Sequence, residues 1–217
     1  DSQPCLSPDK RDLYFASRRA GGFGGSDIYV CHLLTESSGK ANGRWTEPEN
    51  LGPGINTSGD DQCPFIHADN QTLYFTSNGW PGYGENDLFY ARRQPDGSWG
   101  KPMNLGYPIN TIDDEGTLFI AADGKTAYYA SDRSDSKGGL DIYTFELRQD
   151  IRPFKTLWVK GKVKDKKTNK ELASTVALTD LASKQIISEV RTDESGYYFI
   201  TLPVGKDYAF SVSQKGY

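Results

Sequence analysis

The sequence predicts an all-β chain: four-stranded antiparallel β-propeller blades, about three of them, followed by a small β-sandwich. Three observations predict it. A unit of about 54 residues occurs three times, glycine words punctuate each unit, and the chain between those words is aromatic and β-branched. "LYFAS" at 13–17 returns as "LYFTS" at 73–77 and "AYYAS" at 127–131. Each is followed by a glycine loop and then by an acid that opens an aromatic strand, at Asp27, Asp87 and Asp141. Tyr14 and Tyr74 stand 60 apart, as do Asp27 and Asp87, while Tyr74 and Tyr128 stand 54 apart, as do Asp87 and Asp141. The first copy therefore carries six extra residues, and they fall between Asp27 and Trp45, where "TESSGKANG" replaces the compact "QPDG". Loop tips accept such insertions cheaply.

Within one unit the elements follow in order. "CPFIHAD" leads through a hairpin turn into "TLYFTSN", and the third copy marks that turn with Asp123-Gly124, a strong hairpin signal. The glycine loop comes next, then "DLFYARR", then the turn Pro95-Asp96-Gly97, then "WGKPMNL". Four short strands per period define a propeller blade, which cannot bury both faces alone and must stack on its neighbours. "GGFGGSDIY" at 21–29 is thus a turn between strands. A dinucleotide loop would need a third glycine where Asp27 stands, and a helix where Ile28-Tyr29-Val30 predicts a strand. Three copies are fewer than the four or more blades of typical propellers, which predicts that upstream blades have been lost.

The recurring residues are expected to be structural. Asp27, Asp87 and Asp141 are placed to accept hydrogen bonds from loop amides or from Ser17, Ser77 and Ser131 on the preceding strand. "DRSDSKGGLD" lacks the acid spacing of a calcium loop, so no metal is assigned. Trp45 and Trp99 recur at one position, which predicts packing between blades. Trp80 does not recur. It lies with Tyr83 in "NGWPGYGEND", where an exposed aromatic pair would stack on a sugar or anchor a protein partner, and a tucked loop is the alternative.

Charge divides the chain. Residues 1–150 hold 13 Lys and Arg against 22 Asp and Glu, whereas residues 151–217 hold 12 against 7. The shift predicts a boundary near 150, with propeller blades over 1–150 and a sandwich over 157–217. The acidic part is unsuited to nucleic acid, because phosphate contacts need clustered cations. Cys5, Cys31 and Cys63 are an odd set without a CxxC pair and, with only His32 and His67, fit neither a disulfide framework nor a zinc site; buried thiols are expected. No apolar run approaches the ~20 residues of a transmembrane segment, and no signal peptide is visible, so the chain reads as a mature or excised piece. No nucleophile elbow or Ser-His-Asp set assembles, and the paired acids Asp60-Asp61 and Asp114-Glu115 recur with the unit rather than forming one site. A non-catalytic chain without a cofactor is expected.

"SPDKRDLYFASRRAGGFGGSDIYV" resembles the periplasmic WD-like propeller repeat of TolB-like and OmpA-family envelope proteins, over residues 1 to about 147. The tail resembles the carboxypeptidase regulatory-like domain, a transthyretin-like sandwich, through Val159-Lys160-Gly161-Lys162-Val163, Thr192-Asp193, Gly196-Tyr197-Tyr198-Phe199 and Gly216-Tyr217. This order is similar to that of Bacteroidetes OmpA-family envelope lipoproteins, including those of type IX secretion and gliding. The resemblance implies a periplasmic, outer-membrane-associated scaffold whose partners are envelope or secretion-complex proteins, with peptidoglycan reached only through a domain absent here. The alternatives are a module binding glycan or peptidoglycan fragments and a regulatory propeller of a hydrolase.

Overall fold

A computed structural model gives the structure of the chain and describes residues 1–35, 41–121, 123–184 and 186–214. The inserted loop and the closing Gly216-Tyr217 lie wholly or partly outside these residues. The described residues form an all-β structure of seventeen strands with no helix, and neighbouring strands pair antiparallel. The chain divides into two compact units, Asp1–His32 with Glu47–Phe154, and Leu33–Thr46 with the chain from Lys155 onward.

The first sheet contains β1 (Ser2–Leu6), β2 (Asp12–Ser17), β3 (Asp27–Thr35), β4 (Ala41–Trp45) and β5 (Glu49–Asn50), the last pairing with β3. The second runs in order through β6 (Asp61–Ile66), β7 (Thr72–Ser77), β8 (Asp87–Arg92) and β9 (Met103–Asn104). The third holds β10 (Glu115–Ile120), β11 (Thr126–Ser131) and β12 (Asp141–Glu146). Four strands per copy was the expectation, and the second sheet alone has four. The first gains β4 from its longer hairpin. The third has three among the described residues, because the tryptophan and "NLG" words that deliver β9 have no counterpart after β12. Registers nevertheless agree: Ser17 pairs with Asp27, Ser77 with Asp87, and Ser131 with Asp141. A bulge recurs in the opening strand of each sheet, between Ser2 and Cys5, Gln62 and Phe65, and Glu115 and Leu118.

Strand alternation explains the core. On β7, Leu73 and Phe75 point to one side and Tyr74 to the other, and all three are fully buried. Leu73, Phe75, Phe89 and Ala91 join Tyr14, Ile28 and Val30 of the first sheet around Ile55. Tyr74 and Leu88 join Leu118, Ala127 and Tyr129 of the third around Leu105 and Ile109. The second sheet is therefore apolar on both faces, and its neighbours sit on either side. Tyr74 also donates its hydroxyl to the Ile151 carbonyl at 2.9 Å, which satisfies the one polar atom it buries.

In the second unit, β13 (Thr156–Lys162) pairs with β16 (Tyr197–Pro203), and β14 (Thr175–Asp180) lies between β15 (Ile186–Arg191) and β17 (Tyr208–Ser213). The two sheets share one apolar cluster of Val176, Leu178, Val190, Ile200 and Leu202. Asp180, buried at the end of β14, accepts from Lys206 Nζ at 2.7 Å and from the Ala182 amide at 2.8 Å. These bonds hold its carboxyl below the usual carboxylate range.

Candidate functional site

The recurring polar residues gather at the ends of the strands, where they tie loops down. Asp27 accepts from the amides of Phe23 at 2.6 Å and Gly24 at 3.2 Å, and from Asn50 Nδ2 at 2.9 Å. Asp87 accepts from the amides of Tyr83 at 2.7 Å and Gly84 at 3.4 Å, and Asp141 from the Lys137 amide at 2.6 Å. In each copy the acid thus takes the amide four residues before it. Ser17, Ser77 and Ser131 hold the opening of the same loops: they accept from the amides of Arg19 at 3.3 Å, Gly79 at 3.1 Å and Arg133 at 3.2 Å.

The words "NLGPGIN" and "NLGYPIN" form an asparagine relay whose role the sequence did not reveal. Asn56 brackets Ile28, accepting its amide at 2.8 Å and donating to its carbonyl at 2.9 Å, and donates to Asn50 at 2.8 Å. Asn110 does the same for Leu88 at 2.9 Å each and for Asn104 at 2.7 Å. Strand alternation separates the paired acids. Asp61 and Glu115 turn inward onto the Thr57 and Thr111 amides, at 2.5 and 2.9 Å. Asp114 turns to the loop of the preceding sheet, accepting from the Asn86 amide at 3.1 Å, while the Asp60 amide donates within its own sheet to Asn78 Oδ1 at 2.7 Å. The Asn86–Asp114 bond, and the Gly25 amide's bond to the Gly59 carbonyl at 2.9 Å, stitch consecutive sheets together.

Burial pushes the carboxyls of Asp61, Asp87 and Glu115 above their ordinary values of 3.8, 3.8 and 4.5, because removing water disfavours the charged form. In that window the folded state binds more protons than the unfolded state, so each group subtracts stability as pH rises through it. Asp61→Asn keeps an acceptor for Thr57 and removes the titration. Its stability relative to wild type is expected to rise as pH climbs from 3.8 through the raised value, read from urea midpoints across pH. A gap that does not change with pH would contradict the assignment.

The aromatic candidates fall in different surroundings. Trp99 packs on the cluster between the first two sheets, edge-on to Tyr14 at 6.3 Å with Arg93 over its ring at 4.9 Å. Trp45 does not repeat that arrangement. It pairs with Leu33 in the same register as Trp99 with Arg93, yet it is exposed and groups with the second unit. Trp99 rests on a preceding sheet, and none precedes the first among the described residues. Trp80 and Tyr83 also part company. Trp80 is half-buried against the same cluster and donates its indole N–H to the Ile55 carbonyl at 2.8 Å, so the expected exposed pair reduces to Tyr83. Tyr83 is 55% exposed.

Sequence reasoning missed Phe23. It aligns with Tyr83 at the 60-residue offset, both lie between two glycines, and Phe23 is 49% exposed. Comparing "GFG" with "GYG" would have found it. The three thiols are free, with Cys31 buried and Cys5 and Cys63 half-buried. Among the described residues no group of three or more His, Cys, Asp or Glu is placed to hold a metal ion, and no helix is long and apolar enough to cross a membrane.

No protein-family model and no curated protein matches the chain. Among solved structures it is similar to an α-L-arabinofuranosidase from Lactobacillus brevis, at 17% identity and a TM-score of 0.45 over 67% of this chain. The chain spans about half, 48%, of that protein's length. A likeness at this level transfers neither fold nor activity.

Proposed function

We propose that the chain is a non-catalytic interaction scaffold, a run of propeller blades followed by a transthyretin-like sandwich. It serves an outer-membrane-associated, OmpA-family protein of the periplasm. Its partners are envelope or secretion-complex proteins, and peptidoglycan is reached through a domain outside this chain. One observation carries the reading: the sheet interfaces repeat position by position. Tyr14 and Ile28 of the first sheet, and Tyr74 and Leu88 of the second, are buried against the sheet that follows. Their equivalents in the third, Tyr128 and Ile142, are 43% and 82% exposed. Like blades stacked in sequence produce that pattern. The two sheets around Val176 and Ile200 support the sandwich, and its words support the regulatory-like resemblance.

The recurring acids support a role without catalysis. Asp27, Asp87 and Asp141 are committed to backbone amides in every copy, as are Asp61 and Glu115. A catalytic pair is instead held free for a reacting group. The test is purification of the intact gene product from solubilised envelope, with aryl arabinofuranosides assayed alongside. A stoichiometric envelope partner and no turnover are expected. A protein that purifies alone, or turnover abolished by Asp87→Asn, would overturn the reading. Tyr83 beside the exposed Glu85 favours glycan binding as the second reading, which titration with muropeptides separates.

A further inference from the structure

The exposed aromatics Phe23 and Tyr83 are fixed by their neighbours. In Gly22-Phe23-Gly24 and Gly82-Tyr83-Gly84 both flanking positions pack inward against atoms that leave no room. A Cβ at residue 22 would lie 2.3 Å from Asp27 Oδ2, and one at residue 82 only 1.6 Å from Asp87 Oδ2. On the other side, a Cβ at residue 24 would meet the Gly59 carbonyl oxygen at 2.1 Å, and one at residue 84 the Thr111 carbonyl oxygen at 2.6 Å. The central residue is therefore the only one of each three that can carry a side chain, and its amide is pinned to the buried acid. The ring has one way to go, outward.

The loops that present these rings interlock into a rim. The Gly25 amide donates to the Gly59 carbonyl at 2.9 Å, the Asp60 amide to Asn78 at 2.7 Å, and the Asn86 amide to Asp114 at 3.1 Å. Ile112, on the loop that position 84 abuts, is 78% exposed. Residues 57–60, 78–86 and 111–114 carry Asp60, Glu85, Asp113 and Asp114 and no Lys or Arg. Of the two arginines on the first loop, Arg18 pairs with Asp60 at 3.8 Å, and Arg19 is engaged with Asp1 and the Phe15 and Tyr29 rings. In the third copy the aromatic position is Lys137.

We propose that this rim docks an extended polypeptide segment whose apolar side chains meet Phe23, Ile112 and Tyr83, with lysine or arginine between them. Phe23 and Tyr83 stand on equivalent loops of consecutive sheets, and Ile112 abuts position 84 beside Tyr83. Stacked sheets lie about 10 Å apart and an extended chain rises about 3.3 Å per residue, so the anchors for the two rings fall about three positions apart. The acidic loops select the cations between them. Phenylalanine and isoleucine offer a sugar no hydrogen bond, which favours polypeptide over glycan. The assignment rests on the scaffold reading and names the surface it uses.

The test is fluorescence anisotropy of the chain with a labelled peptide carrying phenylalanine at every third position and lysine elsewhere. A glutamate-for-lysine version and a muropeptide serve as the other arms. Binding of the lysine peptide is expected, weakened at least about tenfold by Phe23→Ser with Tyr83→Ser and by added salt. Glu85→Gln with Asp113→Asn should weaken it as well. Those side chains are exposed or half-buried, and an unchanged melting temperature verifies that each variant folds. Absence of binding, equal binding by the double aromatic variant, equal binding of the glutamate peptide, or muropeptide binding lost in that variant would each overturn the proposal. If the peptide fails while the intact protein still co-purifies with envelope partners, the rim is wrong and the scaffold stands; loss of both removes the scaffold too.

Discussion

Replacing Phe75 by alanine is expected to remove about 3–5 kcal/mol of stability from the first unit, the usual range for deleting a fully buried phenylalanine. Phe75 has no exposed surface, stacks on Phe89 at 5.9 Å, and lies where the first and second sheets meet. The loss has two sources: the transfer of the ring out of water is forfeited, and two sheets, each held in its own strand ladder and tied to the other at the loop end, cannot close on the void. Urea unfolding should show a lower midpoint for the transition of the first unit, with that of the second unmoved. A contrast sharpens the result. Leu88→Ala should cost about 2–5 kcal/mol, and Ile142→Ala, at the equivalent position, close to nothing. Equal costs would contradict the description of the sheet faces.

The second large effect is expected from Asp87→Ala. The substitution leaves the Tyr83 and Gly84 amides without their acceptor, at about 1–3 kcal/mol for each amide that water does not reach. A total of about 2–4 kcal/mol and a lower melting temperature should follow. Asp87→Asn, which retains an acceptor oxygen, should recover a large part of it. Gly82→Ala should resemble Asp87→Ala, because its Cβ would displace the same carboxylate. An Asp87→Ala variant as stable as wild type would mean that the acid holds nothing.

Much of this architecture could be read from the chain because a repeat exposes its own register. Tyr74 and Tyr128 mark equivalent strand positions by spelling alone, and the acid after each glycine loop marks the next strand. The interfaces follow from alternation once the strands are placed. What escaped the sequence depended on surroundings. Trp45 and Trp99 share a word and a register, but a side chain packs only where another sheet stands opposite, and spelling does not record that. Trp80 looked like a free aromatic because its loop is polar and rich in glycine; the Ile55 carbonyl that takes its indole N–H is 25 residues away. The third sheet lacks a fourth strand among the described residues because no tryptophan or "NLG" word follows β12. Phe23 is legible in the spelling: its bracketing glycines mark a turn, and they also fix the one residue that can carry a side chain there. The placement of Leu33–Thr46 with the second unit left no trace in composition or spacing.

The central claim is that the recurring acids act as loop anchors, the same in each copy. Amide hydrogen exchange in the native protein tests it most directly, at Phe23, Tyr83 and Lys137. All three amides belong to loops rich in exposed residues, yet each donates to a carboxylate four residues on. They are expected to exchange about a hundredfold or more below the free-loop rate, with Tyr83 alone released by Asp87→Ala. Exchange of all three at the free-loop rate in the wild-type protein would contradict the account.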